Sequence, residues 1–149
     1  MVASEARADD STTQRGARVS RKPDAGTLLA TLRLPYVPAS LNRVLRWNPH
    51  RKKRERDMWA RDLYIVAGLK QAKDLRECSL IKMKVRVVIT IHNPKRYDRD
   101  NAWGAAKIPV DAMRQISFIH NDTEEFLDLD VKQETSPARF TVIEVRSAA

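Results

Sequence analysis

The sequence predicts a small α/β (α+β) domain, a single compact unit with helices packed on a small mixed sheet in the order β-α-β-α-β-β. Three observations predict it. A length of 149 residues suits one domain. With 42% hydrophobic and 32% charged residues, the chain has the composition of a globular protein and not a disordered one. Its apolar residues switch between a period of two and a helical period, with no internal repeat.

Residues 1–26 are rich in Ser, Thr, Ala, Arg and Asp without hydrophobic period, and are expected to form a flexible tail before a domain at 27–149. Thr27 to Leu34 alternates, with Leu28, Ala30, Leu32 and Leu34 on one face, as in a strand. Pro35 and Pro38 end it, and Ser40-Leu41-Asn42 opens a loop. From about Arg51 to Lys73 the period becomes helical: Trp59, Leu63 and Val66 form a stripe that Met58, Ile65 and Leu69 widen. The clearest strand follows, with Ile81, Met83, Val85, Val87, Ile89 and Ile91 alternating with Lys82, Lys84, Arg86, Val88 and Thr90. A loop from His92 to Tyr97 leads to a helix that Asn101 caps and that reaches about Gln115. Pro109 means that this helix either starts nearer Lys107 or bends there. Leu127, Leu129 and Val131 alternate in a third strand, Ser136-Pro137-Ala138 turns, and Phe140 to Val145 returns as its hairpin partner.

A formal charge of +9 points to a polyanionic partner. The charge is concentrated: Arg43, Arg46, Arg51, Lys52, Lys53, Arg54 and Arg56 face only Glu55 in the same stretch, so a nucleic-acid-binding face is expected there, with Asn42 at its edge. Cations at a helix N-terminus oppose the helix dipole and favour a bound anion. No apolar run approaches the ~20 residues of a membrane span, and no apolar leader segment opens the chain, so a cytoplasmic location is expected. The one cysteine, Cys78, fits a reducing compartment and inert packing.

Against that charge, Asp98, Asp100, Asp111 and Asp122 crowd together with Asn101 and Lys107. Two carboxylates ~5 Å apart repel by roughly 3 kcal/mol at an effective dielectric of ~20, and a divalent cation on oxygen ligands is the usual compensation. Asp98 and Asp100, at i and i+2, point the same way if the segment is extended. Lys107 lies about two helical turns beyond Asp100, and the apolar turn Ile116 to Ile119 brings Asp122 back. Three carboxylates and a lysine around one phosphate-sized space suit metal-assisted phosphodiester cleavage, the lysine offsetting charge on the transition state. The same residues also have plain readings: Asp-x-Asp is common in surface loops, and Lys107 with Asp111 makes an ordinary i, i+4 pair.

Asp98-Arg99-Asp100-Asn101, Lys107, Asp111-Ala112-Met113 and Ile119-His120-Asn121-Asp122 together resemble the motif of the RusA family of Holliday junction resolvases. Ser40-Leu41-Asn42-Arg43 is similar to that family's Ser-x-Asn entry before its first helix, and the resemblance runs from about Leu28 to Val145. It implies a compact α/β homodimer that nicks four-way DNA junctions with Mg²⁺, for which Mn²⁺ can substitute. It implies Asp98, Asp100 and Asp122 as metal ligands and Lys107 as the essential lysine. The chain departs from the family pattern in two places. The gap between Asn101 and Lys107 is longer than in the shortest members, and Asn121 stands where a second acidic residue is frequent.

Two rivals stand beside this reading: a non-catalytic basic nucleic-acid-binding protein, and a metal nuclease acting on flaps or single strands. Among the remaining residues, His120 reads as structural more readily than as a base beside Asp122. His50 and His92 are expected in loops. Trp59 is expected in the core, Trp47 either in the core or stacked on bases, and Trp103 on the wall of the metal pocket.

Overall fold

A computed structural model of the chain describes residues 23–148. They form β1 (Leu28–Leu34), α1 (Leu41–Val44), α2 (Pro49–Leu80), β2 (Val85–Asn93), α3 (Arg99–Ala105), α4 (Lys107–Gln115), β3 (Leu127–Thr135) and β4 (Phe140–Ser147). The four strands make one mixed sheet in the order β1-β4-β2-β3. β4 runs antiparallel to both β1 and β2, and β2 runs parallel to β3. The expected α+β class and the alternation of strands and helices are therefore present, with one extra helical turn at 41–44 and two helices where one was expected.

Alternation decides which face of the sheet is buried. Ala30, Leu32 and Leu34 of β1, Val85, Val87, Ile89 and Ile91 of β2, and Ile143 and Val145 of β4 all lie in the core. Leu28 was expected to join them but is half exposed, because the pairing register shifts between Leu28 and Ala30 and turns it off the inner face. The third and fourth strands do not form a hairpin. β2 lies between them, hydrogen-bonded to both, and residues 136–139 cross its end, where Ser136 N–H donates to Asn93 O (3.1 Å). That crossing covers two strand spacings, about 9.6 Å, well within the reach of four residues. A parallel β2–β3 pair requires a crossover connection, and α3 and α4 supply it. β2 itself starts at Val85, not Ile81: Ile81 caps α2, and Lys82 turns the chain with φ 56°.

α2 extends to Leu80, beyond the expected end at Lys73, and is interrupted at Gly68, whose φ of 72° and ψ of 174° are not helical. A side chain at that φ is strained, so glycine suits the break. Gln71 ties the break in: its Nε2 donates to Ala67 O (2.9 Å) and its Oε1 accepts from Thr31 N on the free edge of β1 (2.9 Å). The buried stripe of α2 is Trp59, Ala60, Leu63, Ala67, Ala72, Leu75 and Cys78, rich in alanine because the helix lies close on β1 and α4. Val66, Ile65 and Leu69, expected on that stripe, face outward. Burial pushes the Cys78 thiol up, as fits an inert cysteine.

The segment expected to be a flexible tail is held at its end. Gly26 N–H donates to Ser147 O (2.8 Å), Thr27 N–H to Ser147 Oγ (3.0 Å), and Ser147 Oγ to Asp24 O. A backbone that joins the last strand in this way belongs to the domain. Residues 1–22 lie outside the described residues. No helix among the described residues is long and apolar enough to cross a membrane.

The loop after β1 is locked by Tyr36. Its ring meets Trp59 edge-on (centroids 4.9 Å, 81°), its hydroxyl donates to Asp62 Oδ2 (2.6 Å), and its carbonyl accepts from Thr141 Oγ1 (2.7 Å). Burial, and then the bond to Asp62, push the phenol far above its ordinary 10.0. An acid whose folded pKa is raised stabilises the fold below its unfolded pKa and loses that contribution as pH rises through and beyond about 10. The stability advantage of the wild type over Tyr36→Phe is therefore expected to shrink between pH 9 and pH 11, read from urea midpoints; a constant difference would contradict it.

Candidate functional site

Asp98 is the N-cap of α3, where Asn101 was expected. It has extended backbone (φ −64°, ψ 164°), its Oδ1 accepts from Asn101 N–H (2.9 Å), and its Oδ2 accepts from Asn101 Nδ2 (3.0 Å). Asp100 is already inside the first turn, where the dipole favours a carboxylate. The expected strand-like convergence of Asp98 and Asp100 is therefore absent, because residues two apart at a helix start do not share a face.

Asn101 also reaches outward. Its Oδ1 accepts from the backbone N–H of Asn42 in α1 (3.2 Å), so the Ser-x-Asn segment and the Asp-x-Asp-Asn segment, 59 positions apart in sequence, meet in space. Gly104 allows the approach: a Cβ there would stand 2.6 Å from Leu41 Cβ and 2.7–2.8 Å from both of its methyl carbons. Tyr97 closes the same corner, donating from its hydroxyl to Pro38 O (2.9 Å) and pairing its backbone with the side-chain amide of Gln133 on β3 (2.8 and 3.0 Å). Burial pushes its phenol up, against the opposing pull of Arg43 and Arg139.

Pro109 occupies the first turn of α4, where a missing N–H leaves no gap, and its ring disfavours the carbonyl four residues earlier, at Ala105. The chain accordingly divides into α3 and α4 at Ala106, and Lys107 opens α4. Lys107 Nζ stands 4.0 Å from Asp111 Oδ2, the i, i+4 pair that the spacing predicts. Behind α4, Phe118 and Ile119 are buried and anchor the turn that carries Asp122. Arg114 Nη1 lies 4.0 Å from Asp122 Oδ1.

Lys107, Asp111 and Asp122 line one open cleft of about 550 Å³, together with Trp103, Lys84, Glu124 and Asp128. Asp98 and Asp100 do not line it. Sequence reasoning missed Lys84, Glu124, Asp128, Arg114 and Arg139. Glu124 and Asp128 lie within six residues of Asp122 and were readable as a continuation of its acidic run; Lys84, Arg114 and Arg139 carry no such mark, since only the sheet register and the turn after α4 bring them near. Trp103 walls the cleft as expected, partly exposed. His120 packs edge-on against Phe126 (4.5 Å), a structural role. His92 belongs to β2 and stacks on Phe140 (4.0 Å, 10°), not in a loop.

The basic segment spans α1 and the start of α2. Asn48 caps α2 by accepting from Arg51 N–H (2.8 Å), and the Arg51 guanidinium lies over Trp47 (4.5 Å), which assigns that tryptophan to a half-buried stacking position. Lys53 pairs with Asp57 (3.0 Å), which Gln115 of α4 also contacts (3.1 Å). Among the described residues Arg43, Arg46, Arg51, Lys52, Arg54 and Arg56 have no ion-pair partner, and the first turn of α2 holds no acidic residue. Six unpaired cations on one surface segment are matched to an external polyanion.

A hard divalent cation asks for oxygen donors, and the cleft supplies Asp111, Asp122, Glu124 and Asp128, with Asp98 and Asp100 on the neighbouring helix. Among the described residues no three such side chains converge on one point. The donor set fits a Mg²⁺ that keeps several waters and takes one or two carboxylates, and not a closed protein cage. No family model matches the chain, and no curated protein matches it.

Proposed function

We propose that the chain is a Mg²⁺-dependent endodeoxyribonuclease of the RusA type, able to use Mn²⁺, that nicks four-way DNA junctions as a cytoplasmic homodimer in recombination and repair. The observation that carries this reading is the cleft: Lys107, Asp111 and Asp122 on one open surface, with α3 running from Trp103 at that cleft to Gly104 against α1. One short helix thus links the carboxylates to the basic segment that starts at Asn42 and Arg43. Asp122, with Asp100 and Asp98 from the N-terminus of α3, would hold the metal. A bound Mg²⁺ supplies an activated water and offsets the charge that develops on phosphorus. Lys107 places a positive charge at the phosphate or at the leaving oxygen. Asn42, Arg43, Arg46, Arg51, Lys52, Lys53, Arg54 and Arg56 grip the sugar–phosphate backbone, which fixes register without reading sequence. Twofold nicking of two strands needs two sites related by a twofold axis, which supports a homodimer.

The second reading, a non-catalytic nucleic-acid-binding protein, is favoured by the absence of a three-carboxylate cluster among the described residues. One experiment separates the two. Labelled four-way junction, flap and duplex are incubated with the protein in Mg²⁺, in Mn²⁺ and in EDTA. Symmetric nicks in the junction that EDTA abolishes are expected. Binding indifferent to Mg²⁺, with log K falling by about 0.9 per contacted phosphate against log salt and no cut strand, would establish the binding protein instead. Preferential cutting of the flap would move the assignment to other branched DNA.

A further inference from the structure

α2 carries the largest contiguous set of exposed apolar side chains on the domain: Tyr64, Ile65, Val66 and Leu69 are 41%, 67%, 37% and 87% exposed. Their exposure is built in, not frayed. Ala67 and Ala72 are buried on either side of Gly68 at a spacing of five, where an unbroken helix uses three or four, and the inserted step turns Leu69 outward. The Gln71 side chain holds that step against β1 through its two hydrogen bonds.

From this we infer that the Tyr64–Leu69 face of α2 is the surface on which a second copy of this chain docks. The inference rests on the homodimeric nuclease reading for its purpose but not for its geometry. Two properties of the face select that occupant. The first is charge. Around the basic segment seven cations face only Glu55, so two copies carrying +9 each repel there. Between Arg61 and Glu77 four cations meet three carboxylates, arranged as the pairs Arg61–Asp62 (3.1 Å), Lys70–Asp74 (3.9 Å) and Lys73–Glu77 (4.0 Å). A like-charged copy approaches such a near-neutral rim without penalty, while a polyanion gains little from it. The second is area. At about 150–250 Å² for a complete side chain of this size, the four residues leave roughly 400 Å² of apolar surface. A twofold pairing doubles that area, and with its rim reaches the roughly 1,200 Å² at which stable interfaces begin.

Docking here also touches the cleft. The Tyr64 ring stacks on Phe118 (6.1 Å, 23°), and Phe118 anchors the turn that presents Asp122. A partner copy covering Tyr64 braces that turn from outside.

Sedimentation velocity of the full chain and of the Ile65→Glu/Leu69→Glu double variant, with Leu69→Ser as a milder companion, tests this. Both positions are exposed, so circular dichroism should show the same fold in each. The wild type is expected to be a dimer at about 10 µM, the double variant a monomer with association weakened at least about 100-fold, and Leu69→Ser intermediate. A wild type that stays monomeric at about 100 µM, or a double variant that dimerises as the wild type does, overturns the inference. Nuclease activity is scored separately: a dimer that dissolves in the variant but cuts no DNA as wild type would sink the RusA reading and leave the interface standing.

Discussion

Asp122→Asn is expected to reduce Mg²⁺-dependent junction cleavage by about 10³-fold, some 4 kcal/mol of transition-state stabilisation, while leaving junction affinity within about threefold. The amide keeps the shape of the side chain and an oxygen for Arg114, 4.0 Å away, but removes the charge that a divalent cation requires. Affinity survives because the unpaired cations lie elsewhere, on α1 and the start of α2. Asp100→Asn is expected to behave in the same way. Asp98→Asn separates two roles, since asparagine caps a helix as well as aspartate does: activity should fall while the thermal midpoint holds. Asp111→Asn is expected to cost far less, because its ion pair with Lys107 is an exposed i, i+4 contact worth a few tenths of a kcal/mol. Single-turnover cleavage and gel-shift titration of the same junction measure both quantities. Undiminished cleavage by Asp122→Asn would remove the carboxylate from the mechanism.

Gly104→Ala is expected to destabilise the domain by about 1–3 kcal/mol and to lower activity as well. The new Cβ would stand 2.6 Å from Leu41 Cβ, an atom next to the backbone that no rotamer change can move away. α1 and α3 must therefore separate, and the bond from Asn42 N–H to Asn101 Oδ1, already 3.2 Å, is the first contact to stretch. Loss of that bond frees the Asn101 side chain that braces Asp98. The repair is specific: Leu41→Ala vacates the three clashing positions, so Gly104→Ala on that background should cost much less than on the wild type. Urea unfolding of the four proteins closes this double-mutant cycle. Additive effects would show that the two helices do not meet as described.

The elements were legible from periodicity wherever one face is buried against a single partner. β1, β2, β3 and β4 appear close to where alternation puts them, and the core tryptophan Trp59 is completely buried. The helical stripe was legible only in part. Large apolar residues suggested Val66, Ile65 and Leu69, but a helix lying close on a sheet edge buries alanines, and the positive φ of Gly68 shifts the phase midway. The hairpin expected at Ser136-Pro137-Ala138 failed for a different reason: a short turn between two strands does not exclude a third strand between them.

The candidate site divides along the same line. By itself the sequence determined the α+β class, the identity of the charged groups, their clustering into an acidic stretch and a basic stretch, and the Lys107–Asp111 pair, because these depend on composition and on spacings shorter than one helix. Tertiary structure alone decided which carboxylates share a cleft, that Asp98 is spent on a cap, that Asn42 meets Asn101, and that Lys84, Glu124 and Asp128 join Lys107 and Asp122. Those outcomes depend on where strands pair and where Pro109 divides the chain into two helices, and a one-dimensional pattern carries neither distance nor direction across such joints.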